Sequence, residues 1–377
     1  MRMCEPPAEG IIRPITAISG AALAAKHARV SFVADSAGRY SRQLFDEISS
    51  TDAESPTRGV HAASAPDAVQ ACLEAARAGG RAMAVTEGLG LRAAAEQLAL
   101  AQLAETPLVL LHCQYLPGDG GREDLHGDMD VALAGRLGVA GIPLPVLAVA
   151  DGATTYRLTC LAFELVEKLR TPVIVLTSKH IALPPKIARK PTELVPPSPG
   201  ESHRSQLELP TQGSAIRAET ARVPWACSLP RTHGPDRGTA DVPLADRIAR
   251  LRRRIADHAA ALEHVHADAD PDAQTLLISY GSADRAAHEA VARVRSAGAR
   301  VSHLTIYSLW PVPQPALRRA VTPFVSRILL PECNPGLYAA ELAKCVKAVK
   351  LESLPRCDGR PIEPEQIARR LTDWPCG

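Results

Sequence analysis

The chain has 377 residues, 46% of them hydrophobic and 22% charged, which suits two globular modules with sizeable cores and excludes wholesale disorder. Lys and Arg number 43 against 41 Asp and Glu, a net charge of +2, so no strong field argues for nucleic acid or a membrane as partner. No apolar run approaches the roughly 18 residues a bilayer span needs. The opening MRMCEPPAEG lacks a signal peptide's apolar segment, and the expected location is cytoplasmic.

Residues 1–14 read as a loose tail. From there to about Ile181, short β-rich runs alternate with Ala-rich helical stretches. VSFVA (30–34) predicts a strand and RYSRQLFDEISS a helix after it. In 66–79, Val69, Cys72, Leu73 and Ala76 share one helical face, with Pro66 in the first turn and Ser64 as cap. RAMAVT (81–86) is a strand, EGLG its turn, and 91–105 the next helix. TPLVLLHC (106–113) and TPVIVLTS (171–178) are continuous apolar strands of the doubly buried kind, separated by an amphipathic helix over 154–170. Such alternation predicts an α/β fold with a mostly parallel sheet.

Residues 183–243 hold eleven prolines in 61 residues and no sustained period, which predicts a linker. A basic helix (244–265) follows, whose Arg250, Arg252, Arg253 and Arg254 read as a solvated face. A second series then runs strand (275–281), helix (282–298), strand (299–309), helix, strand (325–333), helix. The expected organisation is two doubly wound domains, 15–182 and 244–352, joined by the linker.

Nine scattered cysteines without a C-x-x-C argue against a disulfide framework and against a zinc or iron–sulfur site within this chain. His264, His266, Asp268 and Asp270 have metal-friendly chemistry, but their polar setting reads as a solvated linker, and no metal site is expected from them. Thr86-Glu87-Gly88-Leu89-Gly90, between a strand and a helix, is the most site-like feature, since its glycines let a ligand approach the backbone. The polar loop Tyr115 to Asp128 follows a buried strand at the edge where open α/β sheets bind ligands. The turn at Gly281–Asp284 is a weaker phosphate candidate.

The order of these segments resembles the alpha subunit of the 2-oxoacid:ferredoxin oxidoreductases, the 2-oxoglutarate and pyruvate synthase group. The resemblance rests on 80–90, 163–181 and 276–313, the last ending in the turn Leu309-Trp310-Pro311-Val312-Pro313. Pro331 to Gly336 is similar to the family's Glu-x-Asn-x-Gly turn, and Gly127-Asp128 to its Gln-Gly-Asp-Leu loop. Thr232-His233 and Asp236-Arg237-Gly238 resemble its inter-domain segment. The resemblance implies a thiamine-diphosphate pyrimidine-type domain followed by a transketolase C-terminal-like domain. It implies thiamine diphosphate shared with a beta subunit, with magnesium and an iron–sulfur cluster in that partner. It also implies oxidative decarboxylation of a 2-oxoacid to an acyl-CoA, with electrons passed to ferredoxin.

The sequence departs from the family at its site motifs. Asp35-Ser36-Ala37-Gly38-Arg39 replaces Tyr-Pro-Ile-Thr-Pro, Glu87-Gly88-Leu89-Gly90 replaces Ser-Gly-Pro-Gly, and Tyr115 stands where an Arg is expected. The glutamate that hydrogen-bonds the aminopyrimidine has no counterpart, because the family's Glu-Asp-Glu falls on Ala63-Ser64-Ala65; Asp67 is the nearby carboxylate. The implied pocket would have Ser36 and Gly38 on a first wall, Thr86, Glu87, Gly88 and Gly90 on a second, and Tyr115 and Asp128 on a third. The alternative is a catalytically silent alpha-like scaffold.

Overall fold

The computed structural model describes residues 16–36, 38–49, 57–115, 127–182 and 243–373. The tail, nearly all of the expected linker and the resemblances at Thr232-His233 and Asp236-Arg237-Gly238 lie outside the described residues.

The first module carries β1 (Phe32–Asp35), β2 (Arg58–His61), β3 (Ala82–Glu87), β4 (Val109–Gln114), β5 (Val146–Ala148) and β6 (Val173–Ser178). Its helices are α1 (Ala17–His27), α2 (Arg39–Ser49), α3 (Ala65–Arg77), α4 (Gly90–Ala93), α5 (Ala95–Leu103), α6 (Val131–Ala134), α7 (Gly152–Leu169) and α8 (Lys179–Ala182). After α9 (Leu244–Asp257) come β7 (Val265–Asp268), β8 (Thr275–Ser279), α10 (Asp284–Ser296), β9 (Val301–Ile306) and β10 (Ser308–Trp310). The chain continues through α11 (Gln314–Ala320), β11 (Arg327–Glu332), α12 (Leu337–Leu342), β12 (Lys350–Pro355) and α13 (Pro364–Thr372). The second unit thus runs beyond residue 352.

The first sheet has the order β10-β5-β6-β4-β3-β1-β2 and the second β12-β11-β8-β9-β7. Among the described residues, only the edge strands β10 and β7 run antiparallel to their neighbours. β4 and β6 are buried at every position, which explains their unbroken apolar sequence. Local chemistry sets the helix starts. The Ser64 hydroxyl accepts the Asp67 N–H ahead of α3, and Asp151 and Thr154 form a reciprocal cap on α7. The helix predicted over 91–105 breaks at Ala94, between α4 and α5, with no Gly or Pro to mark it. The helix expected after the strand at 325–333, α12, stops at Leu342, since the chain must return to pair Lys350 with Arg327 in the second sheet.

The strand predicted over 299–309 serves two sheets. β9 pairs with β8, while β10 crosses to pair with β5 of the first module. Trp310 follows it in: its indole N–H donates to Val131 O at 3.1 Å, and a Cβ on Gly135 would lie 2.1 Å from its ring. The arginines of α9 are not simply solvated. Arg250 and Arg254 both donate to the carboxylate of Glu105 at 2.7 and 2.8 Å, and Arg252 donates to Ala140 O at 2.8 Å. α9 therefore lies against the first module. Likewise, 265–268 is the edge strand β7, with Asp268 paired to Arg295 and Asp270 to Arg300. Among the described residues no helix is long and apolar enough to cross a membrane.

Glu105 is buried, so Glu105→Ala strands two guanidinium groups. The expected loss is about 2 kcal/mol, below that of breaking a fully buried pair because Arg250 is half exposed. Thermal unfolding tests this; an unchanged melting temperature would mean that α9 is not held through Glu105.

Candidate functional site

The carboxyl ends of β1, β3 and β4 bring Ser36, Gly38, Glu87, Gly88 and Tyr115 together. β1 lies beside β3 with Asp35 opposite Val85, which brings Gly38 and the start of α2 next to Glu87, the last residue of β3. The Glu87 side chain reaches into that helix start. Its Oε1 accepts the Arg39 N–H at 2.9 Å, and its Oε2 accepts those of Tyr40 and Ser41 at 2.8 and 2.9 Å. These are orphan amides of the first turn of α2, where the helix dipole favours negative charge. Tyr115 completes the shell, donating its hydroxyl to Oε1 at 3.0 Å.

Two glycines make this possible. A Cβ on Gly38 would lie 2.0 Å from the Glu87 carboxyl carbon. Gly88 has φ +56°, and its N–H donates to Cys113 O at 3.0 Å. A Cβ there would also crowd the Tyr115 ring at 3.1 Å. Gly38, Glu87, Gly88 and Tyr115 thus form one cluster. Ser36 flanks it through an N–H bond to Val85 O at 3.2 Å. Glu87 is not an open charged wall of a pocket: its carboxylate is the N-terminal anchor of α2, held by charge-assisted bonds.

Thr86 and Gly90 serve the opposite face of the sheet. A Cβ on Gly90 would touch Ala65 and Thr86 at 3.1 and 3.2 Å. The buried Thr86 hydroxyl is 2.9 Å from His112 Nδ1, whose Nε2 is 3.0 Å from Asp130 Oδ2. The Asp130 N–H donates to Gln114 Oε1 at 3.0 Å. Sequence reasoning passed over His112; its signal was a lone imidazole in an otherwise apolar buried strand. Asp35, which the sequence marks only as a replacement in the family's motif, is fully buried, and its Oδ1 is 2.6 Å from His61 Nδ1 across the ends of β1 and β2. Asp67 is exposed, and its Oδ2 accepts the Ser64 hydroxyl at 2.6 Å.

Asp128 does not join Tyr115 on a third wall. It turns into the seam between modules, where Ser282 donates its hydroxyl to Oδ2 at 2.7 Å and the Asp128 N–H donates to Cys333 O at 2.9 Å. Asn334 Nδ2 reaches Asp128 O at 3.2 Å and the Tyr280 hydroxyl at 2.8 Å. Tyr280 in turn donates to Glu332 Oε1 at 2.8 Å, which also accepts the Tyr338 N–H at 2.9 Å. Residues of the Glu-x-Asn-x-Gly turn thus help hold the seam, and Ser282 of the turn at 281–284 faces Asp128. Burial pushes the Asp128 carboxyl up to about 6, against the opposing Ser282 bond. Its Oδ1 has no hydrogen-bond partner. Gln114, Asp128, Ser178, Tyr280 and Ser282 line a narrow crevice along this seam. Of the four residues with metal-friendly chemistry, three are engaged elsewhere: His264 Nε2 bonds Ala261 O at 2.9 Å, while Asp268 and Asp270 pair with arginines.

Glu87→Ala should cost about 2 kcal/mol by stripping the α2 amides of their acceptor, and Glu87→Gln less, since its amide oxygen still accepts. Urea melts of the two variants decide this; equal and negligible losses would count against the anchor. Asp128 makes a pH prediction. Its folded-state value lies above the ordinary 3.8, so ionisation costs folded stability, progressively lost as pH rises from about 4 to about 6. Asp128→Asn removes that cost of about 3 kcal/mol, so its stability relative to the parent should rise between pH 4 and pH 8. A pH-independent difference would contradict this.

Comparison with known proteins completes the picture. Residues 49–224 match the model of the thiamine-diphosphate-binding part of pyruvate flavodoxin/ferredoxin oxidoreductase, and 273–367 match that of core domain II of pyruvate:ferredoxin oxidoreductase. The 2-oxoglutarate synthase subunit KorA of Methanothermobacter marburgensis is 26% identical over 323 residues, spanning 81% of this chain and 83% of that protein. The ketoisovalerate oxidoreductase subunit VorB of Methanothermobacter thermautotrophicus is 24% identical, spanning 83% and 84%. A structure of 2-oxoglutarate:ferredoxin oxidoreductase from Magnetococcus marinus, with 2-oxoglutarate, coenzyme A and succinyl-CoA bound, superposes with a TM-score of 0.75 at 20% identity, over 98% of this chain and 66% of that one.

Proposed function

Because the chain belongs to the alpha-subunit family of the 2-oxoacid:ferredoxin oxidoreductases, we propose that it serves as the alpha subunit of a thiamine-diphosphate-dependent 2-oxoacid:acceptor oxidoreductase. The reaction would be oxidative decarboxylation of a 2-oxoacid to an acyl-CoA, with electrons passing to ferredoxin. A beta subunit would share the thiamine diphosphate and carry the magnesium and iron–sulfur cluster. The observation that carries this reading is the match of both modules, in the family's order, to its two domain models.

Thiamine diphosphate, when bound, supplies the electron sink for loss of carbon dioxide from the 2-oxoacid. The described residues fit part of its requirements. Leu89, exposed between Gly88 and Gly90, offers apolar surface at the sheet edge for a ring. The activating carboxylate is not matched. Positions 63–65 carry none, Asp67 is taken by Ser64, and Glu87 is taken by α2. The same observation favours the second reading, a catalytically silent alpha-like scaffold that keeps the fold and the partner interface.

Co-expression with a beta subunit separates the two. Dye reduction by the purified complex that depends on both 2-oxoacid and CoA supports the first reading. Stoichiometric thiamine diphosphate without turnover supports the second. Failure to form any complex overturns both.

A further inference from the structure

Three side chains of the second module converge where α10 meets β9. Asp284 opens α10, His288 follows one turn later, and His303 stands on β9. One ligand atom from each lies within 4.8 Å of the others. His288 Nε2 is 3.6 Å from Asp284 Oδ2, and His303 Nε2 is 3.9 Å from Asp284 Oδ1. These separations are too long for hydrogen bonds. That of His288 from Oδ2 is close to the spacing of about 3.4 Å between ligands that each sit about 2.1 Å from a tetrahedral ion.

The surroundings are those of a built site. Ser279 and Thr305 donate hydroxyls to Asp284 Oδ1 at 2.5 and 2.8 Å, fixing the carboxylate as outer-shell donors do and leaving Oδ2 toward His288. The side chains of Asp284 and His303 are 6% and 1% exposed, whereas that of His288 is 44% exposed. Two ligands thus form a buried floor and the third a rim by which an ion enters. Nε2 is the His303 nitrogen that faces the cluster; its buried Nδ1, which has no hydrogen-bond partner, lies on the other side of the ring. A second exposed imidazole, His266 on the edge strand β7, lies with its ring centroid 6.3 Å from that of His288.

We propose that Asp284, His288 and His303 bind one divalent transition-metal ion, with water or His266 in the fourth position. Two imidazoles and one carboxylate suit zinc, cobalt or nickel; calcium and magnesium prefer all-oxygen sets. Binding through His303 Nε2 replaces its 2.7 Å contact with the Ser279 hydroxyl. The ion ties α10 to β9 and stabilises the second module by mass action.

The test is titration of the metal-stripped full chain with cobalt(II), followed by visible absorption. The expected result is one ion per chain with the intense d–d bands of four-coordinate cobalt, displaced by zinc. His288→Ala should weaken binding at least tenfold, with the effect of zinc read against each protein's own metal-free melting temperature, because the His288 ring also packs against that of His303. Addition of zinc should raise the melting temperature of the parent but not of this variant. Absence of saturable cobalt binding, or equal binding by His288→Ala, overturns the proposal and leaves the cluster a hydrogen-bonded network. If His303→Ala does not fold, His303→Gln takes its place, and cobalt bands unaltered in that variant would remove His303 from the set.

Discussion

A single carboxylate governs the ligand-facing edge of the first sheet. Glu87 ends β3 and satisfies three amides of α2 together with the Tyr115 hydroxyl. The contact fixes where α2 begins, which residue can stand at 38, and how the Tyr115 ring lies against Gly88. It also decides the chemistry of the edge. A helix N-terminus is an anion-binding device, and here the anion is supplied from within the chain. Any acidic ligand entering this edge meets donors that already have an acceptor, so the chain's contribution there is shape more than charge.

The second constraint is that the modules are not independent beads. In an open parallel sheet the crevice at the carboxyl ends of diverging strands is where ligands usually bind. In the second sheet β8 and β11 form such a place, and Tyr280, Ser282, Glu332 and Asn334 surround it. The occupant is Asp128 of the first module. β10 and Trp310 make the reciprocal insertion into the first sheet. A buried carboxylate is a costly docking group unless every lone pair is met, and Asp128 keeps one oxygen unmatched. The seam is therefore specific at some expense to stability.

Much of this was legible in the sequence, for physical reasons. Doubly buried strands such as β4 and β6 must be apolar throughout, so they announce themselves, and Ser64 and Asp151 sit where helix starts need acceptors. What escaped was long-range pairing. The segment 299–309 has one continuous strand-like pattern, and nothing local says that its end belongs to another sheet. Glu87 looked like a charge on an open wall because its partners, Arg39 to Ser41, lie far back in the chain. The family resemblance sets Asp128 beside Tyr115, whereas the Ser282 hydroxyl and the Cys333 carbonyl draw it to the seam. The Asp284, His288 and His303 cluster had a half-signal, a carboxylate and an imidazole four apart on a helix, completed only by the register of β9 beside β8.

Amide hydrogen exchange at the start of α2 tests the central claim most directly. If Glu87 holds this edge shut, the N–H groups of Arg39, Tyr40 and Ser41 are protected in the parent chain. In Glu87→Ala that protection falls selectively, while the interiors of β4 and β6 keep theirs. Unchanged protection of the three amides without the carboxylate would show that the edge is organised by something else.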